Sequence, residues 1–274
     1  MKPNTHYGRM QQPSPSSESG GRELFSLAGL NALVIGGSSG IGRALAIGLQ
    51  QAGAHVAIAG RTASKVEAVT AELRARDAGT RGYTIDASER DQLTAFLDQA
   101  LADLGHIDVL VPAQGITVLK PAEEFTGTDY DMIMETNMRS VFFSCTRIGR
   151  HMLERGSGSI INITSMASHR GLPLAAVYAV SKHGVMGLTK TLAAEWASRG
   201  VRVNAISPGF FPTELTRKAM KPERRESALR RTPIGRFGDV EELVSTAVYL
   251  AAPASKFVTG VVINVDGGYL ASGI

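Results

Sequence analysis

The sequence predicts an α/β fold built on a doubly wound parallel sheet of about seven strands, with helices on both faces. Two observations carry this. Short Val/Ile/Leu runs alternate in strict turn with longer runs of helical period, the pattern of parallel strands joined by crossover helices. The strand runs are apolar throughout rather than alternating, as strands covered on both faces are. Composition permits such a fold: of 274 residues, 43% are hydrophobic and 20% charged. That supplies a large core and excludes a disordered chain, a collagen-like repeat or a disulfide scaffold.

In chain order, residues 1–22 are rich in Pro, Ser, Gln and Gly, lack apolar periodicity and are expected to be a flexible tail. Strands are expected at 32–35, 55–59, 81–85, 107–111, 159–163, 202–206 and 261–265, where β-branched and aliphatic residues cluster. Helices are expected between them at 41–52, 64–76, 90–104, 130–154, 176–198 and 240–251. No linker interrupts residues 23–274, so a single domain is expected there. The one cysteine, Cys145, lies in the run Val141-Phe142-Phe143-Ser144-Cys145 and reads as a buried small hydrophobe. No run is apolar for long enough to span a bilayer, and the N-terminus lacks the apolar segment of a signal peptide. A soluble, cytoplasmic protein is expected, with no membrane partner.

In doubly wound sheets ligands bind beyond the carboxyl ends of the strands. The first strand leads into Gly36-Gly37-Ser38-Ser39-Gly40-Ile41-Gly42 and then a helix. Glycines let the backbone turn tightly and approach a pyrophosphate, while a helix N-terminus offers unpaired N–H groups. A tight strand-to-helix turn needs glycine even without a ligand; its place after the first strand favours a dinucleotide in a Rossmann-type fold. Gly36, Ser38, Ser39, Gly40, Ile41 and Gly42 are the candidate binding residues. The second strand ends Ala59-Gly60-Arg61, without the acid that bonds ribose hydroxyls in NAD-preferring folds. Arg61 can instead clasp a 2′-phosphate with its fork of donors. NADP(H) is therefore favoured over NAD(H). Asp86 and Ala87 follow the third strand and are placed at the adenine, although Asp86 reads equally as a helix cap before Ser88-Glu89.

The segment Tyr178-Ala179-Val180-Ser181-Lys182 puts a phenol and an ammonium four residues apart on one helix face. A free tyrosine, with a pKa of about 10, is a poor base at neutral pH; a neighbouring positive charge favours the phenolate. Ser165, at the end of the 159–163 strand, can hydrogen-bond and polarise a substrate carbonyl. Asn137 is an odd choice inside the 130–154 helix, and holding water near Lys182 would account for it. Singly these residues have ordinary structural readings; together and in this order they read as a catalytic set.

These residues resemble the short-chain dehydrogenase/reductase family, and the resemblance covers residues 24–274. Gly36, Gly40 and Gly42 match its glycine motif, and Asn137, Ser165, Tyr178 and Lys182 its catalytic tetrad. Ser207-Pro208-Gly209 with Thr213 matches the stretch at the nicotinamide, and Val265-Asp266-Gly267-Gly268 the C-terminal signature. The resemblance implies that Tyr178 is the acid/base and that Lys182 lowers its pKa and binds the nicotinamide ribose. It further implies that Ser165 orients the substrate and that Asn137 completes a proton relay. Gly115, Pro208, Gly209, Phe211 and Thr213 join Tyr178 and Lys182 as implied cofactor contacts. A homotetramer assembled through the 130–154 and 176–198 helices is also implied. Two positions depart from the family: Ile35 stands for a threonine, and Pro112-Ala113-Gln114-Gly115 for Asn-Asn-Ala-Gly. Pro112 has no N–H and Ala113 no side-chain amide, so Gln114 is a candidate replacement amide near cofactor or substrate.

Within the family, Leu24-Phe25-Ser26-Leu27-Ala28-Gly29, Pro208-Gly209-Phe210-Phe211-Pro212-Thr213-Glu214 and the Arg231 to Asp239 stretch resemble gluconate 5-dehydrogenases and related sugar-acid or polyol reductases. Gln114, Ser165 and Phe210 are the candidate substrate residues, beneath a flap at about 209–236. Residues 217–236 hold eight basic side chains (Arg217, Lys218, Lys221, Arg224, Arg225, Arg230, Arg231 and Arg236) against Glu223 and Glu226, a local excess of six. Such a field concentrates anions, suiting a carboxylate-bearing small molecule or, as the alternative, a 3-oxoacyl group on an acidic carrier protein. A catalytically silent cofactor-binding protein would not need Ser165, Tyr178 and Lys182 together. Nucleic-acid binding lacks both motif and interleaved aromatics, and no histidine spacing suits a metal.

Overall fold

The computed structural model describes residues 20–213 and 222–272. The expected tail over 1–19 lies outside the described residues, as do Glu214, Arg217, Lys218 and Lys221 of the flap. One parallel sheet is formed by β1 (Asn31–Ile35), β2 (His55–Gly60), β3 (Arg81–Thr84), β4 (Val109–Pro112), β5 (Gly158–Ile163), β6 (Val201–Pro208) and β7 (Val262–Val265), in the order β3-β2-β1-β4-β5-β6-β7. Every expected strand is present, with ends moved by at most two residues. Because β1 pairs with both β2 and β4, the winding reverses there and opens a crevice at their carboxyl ends.

The strands are apolar throughout because each face has its own core. Val34, Ile58 and Ile161 pack with Leu45 and Leu49 of α2 (Gly40–Gln51) and Leu250 of α9 (Val244–Ala251). The alternate residues Leu33, Ala57 and Ile160 face Leu97 of α4 (Arg90–Leu104), Ile148 of α6 (Ser140–Arg155) and Leu192 of α7 (Ala176–Trp196). Fully burying one such Leu or Ile contributes about 1.5–3 kcal/mol. Cys145 belongs to the second core, where burial pushes its thiol up to about 12.

Three expectations about elements need correction. A short helix, α1 (Gly20–Leu24), begins inside the stretch expected to be tail. The 240–251 helix opens as a tighter 3₁₀ turn (Val240–Leu243), capped reciprocally by Asp239 and Glu242, before α9. The 130–154 helix is broken into α5 (Gly127–Met134), a π-helical turn (Glu135–Arg139) and α6. Asn137 lies in that turn with its side chain bonded to the backbone of Ile116 rather than pointing to solvent. One extra residue in the turn is what lets it reach. The remaining helices are α3 (Ala63–Arg74) after β2 and α8 (Pro222–Arg230) in the flap. Among the described residues no helix is long and apolar enough to cross a membrane, and no group of His, Cys, Asp or Glu could hold a metal ion.

Candidate functional site

The crevice above β1 and β4 is a groove of about 440 Å³. Its floor is the turn from Gly36 through Ser38, Ser39, Gly40, Ile41 and Gly42; Arg61, Asp86, Ala87, Gly115 and Thr213 complete its walls. Backbone crowding sets this shape. Gly36 has φ +80°, and a Cβ there would lie 2.8 Å from the backbone nitrogen of Gln114. A Cβ on Gly42 would lie 2.2 Å from the Gly36 carbonyl oxygen. Ser39 is the N-cap of α2, and its hydroxyl makes no cap bond, so the helix start presents its first N–H groups to the groove. An extended, glycine-floored cleft ending on a helix N-terminus fits a dinucleotide with its pyrophosphate at that end.

Arg61 extends into solvent with its guanidinium 3.9 Å from Asp86 Oδ2. Asp86 is no helix cap: its Oδ1 accepts hydrogen bonds from the N–H and hydroxyl of Ser88, while Glu89 occupies the N-cap position of α4 without a side-chain cap bond. Thr62, next to Arg61, and Lys65, in the first turn of the helix that follows, also line the groove. Sequence reasoning missed them, although a lysine in the first turn of the helix after β2 was the available signal.

The groove runs into the tetrad at Gly115. A Cβ added there would sit 3.5 Å from both Asn137 Oδ1 and Lys182 Nζ. Lys182 is buried on α7, donates to the Ile163 carbonyl at 2.9 Å and lies 5.9 Å from the centroid of the half-buried Tyr178 ring. Burial without a carboxylate partner lowers its pKa to about 8. Ser165 is at the N-cap of a 3₁₀ turn after β5, its Oγ accepting from the Ala167 N–H at 3.1 Å. The structure thus draws the four residues together from the π turn, the end of β5 and the first two turns of α7.

At four of these residues the surroundings bear on the expected role. Burial raises the Tyr178 pKa, and a hydrogen bond with Ser165 acts in the opposite direction. Asn137 is fully buried and its amide is engaged: Oδ1 accepts from Ile116 N–H, and Nδ2 donates to the Ile116 carbonyl and Ser181 Oγ. Its first task is to anchor the loop after β4. The Gln114 amide turns into the protein, donating to Ser140 Oγ at 2.8 Å, with Oε1 enclosed. Gln114 thus braces that same loop against α6 through its Nε2 while also lining the groove, and its Oε1 has no partner among the described residues. Phe211, expected at the cofactor, has its ring buried in the core, where a Cβ on Gly238 would lie 2.3 Å from it. Pro208 ends β6, Gly209 packs on the Asp266 backbone, and Phe210 stacks edge-on to Tyr269 at 5.3 Å.

The rim has a residue that pattern reading did not find. Leu174 is exposed at φ +68°, a costly conformation for a leucine. Its carbonyl accepts from the Lys120 N–H, tying the loop after β4 to the one that enters α7.

Comparison with known proteins agrees with this architecture. The family model described as Enoyl-(Acyl carrier protein) reductase matches residues 35–270. The chain is 40% identical over 251 residues to gluconate 5-dehydrogenase of Gluconobacter oxydans, covering 91% of this chain and 98% of that protein. It is 39% identical over 245 residues to D-threitol dehydrogenase of Mycolicibacterium smegmatis, covering 89% and 94%. A solved gluconate 5-dehydrogenase from Burkholderia cenocepacia, in complex with NADP and tartrate, superposes with a TM-score of 0.87 at 38% identity, covering 92% of this chain and 99% of that one.

Proposed function

The chain belongs to the short-chain dehydrogenase/reductase family, and from that premise we propose that it interconverts a ketone and a secondary alcohol on a sugar acid or polyol, of the type 5-ketogluconate and gluconate. It is an NAD(P)-dependent oxidoreductase acting on CH–OH groups. The observation that carries the reading is the meeting at Gly115, where the nucleotide groove abuts Lys182 and Asn137.

The turn from Gly36 to Gly42 would hold the pyrophosphate, Asp86 and Ala87 the adenine, and Thr213 the nicotinamide end. Arg61, with Lys65 beside it in the groove wall, would take a 2′-phosphate, which makes NADP(H) the preferred cofactor over NAD(H). A bound nicotinamide supplies the hydride in reduction and accepts it in oxidation. Tyr178 Oη gives its proton to the substrate oxygen as C=O becomes CH–OH, and takes it back in the reverse direction. A phenol kept protonated by burial is well prepared as that donor. Ser165 Oγ hydrogen-bonds the same oxygen and orients it. Lys182, pinned by the Ile163 carbonyl, holds its ammonium near the Tyr178 ring and would bind the ribose of a nicotinamide cofactor. Asn137 fixes the Gly115–Ile116 backbone against that ammonium. The fold from residue 23 onward acts as a single cytoplasmic domain. It assembles as a homotetramer through α6 and α7, whose exposed Phe142, Phe143 and Val180 support that contact.

The test is NADPH oxidation by the purified protein with 5-ketogluconate, with NADH in parallel. Rapid turnover with NADPH and slower turnover with NADH is expected. Turnover confined to a 3-oxoacyl thioester on a carrier protein would replace the sugar-acid reading. Sedimentation of a species four times the 29.0 kDa chain mass would support the tetramer, and a monomer would refute it.

A further inference from the structure

Beyond the carboxyl ends of β5, β6 and β7, three aromatic rings gather from distant parts of the chain. Phe210 lies 5.3 Å from Tyr269 and 5.8 Å from Phe237 between ring centroids. Guanidinium groups cover this cluster. Arg170 stacks on the Tyr269 ring at 5.3 Å, and Arg225 on the Phe237 ring at 5.5 Å. Arg224 of α8 is half-buried and close enough to Tyr269 to feel its phenol.

The cations of this region fall into two groups. Arg236 forms a two-pronged pair with Glu242, and Arg230 pairs with Glu226. Arg170 and Arg224 have no carboxylate partner among the described residues. The nearby acid Asp266 forms no ion pair with either among the described residues; its two oxygens accept the backbone N–H groups of Gly268 and Leu270, each at 2.9 Å. Burial further lowers the pKa of Arg224, the mark of a cation partly stripped of water with nothing opposite it. A guanidinium stacked on a ring keeps its in-plane N–H edge free, and that edge matches a carboxylate with two parallel hydrogen bonds. The position suits the substrate: Arg170 follows Ser165 by five residues and precedes Tyr178 by eight, on the segment that joins Ser165 to α7.

We propose that Arg170 and Arg224, gathered at Tyr269, form the subsite that takes the substrate's carboxylate, so that the enzyme selects sugar ketoacids over neutral ketoses. This rests on the sugar-acid reading above and assigns the groups that enforce it. Tyr269 is the platform, and Phe210 and Phe237 hold it in place. The sequence shows a basic flap, whereas the fold adds Arg170 and the ring of Tyr269 from outside it.

The experiment is steady-state reduction of 5-ketogluconate and of erythrulose, a neutral ketose, with NADPH, by the parent, Arg170→Gln, Arg224→Gln and the double variant. The quantity read is the ratio of kcat/KM for 5-ketogluconate to that for erythrulose. Losing one charged two-pronged contact should lower this ratio about 10- to 100-fold, and the double variant should lower it further. Gluconate titrated calorimetrically into the NADPH-saturated protein should weaken in parallel. A double variant whose ratio stays within threefold of the parent overturns the proposal. Variants that lose turnover of a carrier-protein thioester but keep 5-ketogluconate overturn it too, and assign the cluster to an acidic protein. A parent that reduces erythrulose and not 5-ketogluconate defeats the sugar-acid reading itself, and the subsite with it. Should the double variant fail to fold, Arg170→Lys keeps the charge and loses the fork; an unchanged ratio there also overturns the proposal.

Discussion

The two halves of the crevice are built by different means. On the β1–β2 side the surface is backbone: Gly36 and Gly42 are forced by contacts of 2.8 and 2.2 Å that no side chain could share. On the β5–β7 side it is side chains: Ser165, Tyr178 and Lys182 at the floor and an arginine–aromatic cluster at the rim. A backbone cradle recognises what every dinucleotide shares, a pyrophosphate, and tolerates little change. A side-chain wall can be altered residue by residue without disturbing the cradle. The contrast therefore separates cofactor binding from substrate choice and chemistry, and each half can be broken alone.

The largest expected effects are on the side-chain half, that of Tyr178 above all. Ser165→Ala should reduce kcat by about 10²–10³-fold, as loss of a positioned oxyanion donor does, with NADPH affinity retained in a fluorescence titration. On the backbone half, Gly42→Ala must push its new Cβ away from the Gly36 carbonyl. An overpacked turn costs about 1–3 kcal/mol, to be read as a lower melting temperature accompanied by weaker NADPH binding. Arg61→Ala should sharpen the comparison within the cofactor half, cutting the preference for NADPH over NADH about tenfold and leaving NADH kinetics close to the parent's. The smallest effect is a pH dependence of stability. The pKa of Lys182 is about 8 in the fold against an ordinary value of 10.5. Between those values the unfolded chain binds a proton that the folded one does not, so this residue's contribution to stability rises with pH. Melting of the parent should gain a few degrees on Lys182→Met between pH 7.5 and 10; a parent that loses ground to the variant over that range would contradict the buried ammonium without a carboxylate partner.

What could be read from the sequence was local. The strands, the glycine turn and the Tyr178–Lys182 spacing each depend on neighbours in the chain and emerged with their ends nearly right. What could not be read depended on partners far along it. Asn137 looked like a misplaced helix residue because its partner, Ile116, lies 21 positions away. Gln114 looked available for a ligand because Ser140, 26 positions on, is not visible as its acceptor. Arg170 carried no signal, since Tyr269 lies almost a hundred residues beyond it. The burial that raises the Tyr178 pKa is hidden for a related reason: charge is written in the sequence and burial is not.

The most direct test of the division between a backbone cradle and a side-chain chemical wall is Tyr178→Phe. NADPH affinity and 5-ketogluconate turnover should be measured on the same preparation. The account predicts affinity within threefold of the parent and turnover reduced by about 10²–10⁴-fold, the range for a lost general acid. Turnover that survives, or affinity that falls in step with it, would contradict the account.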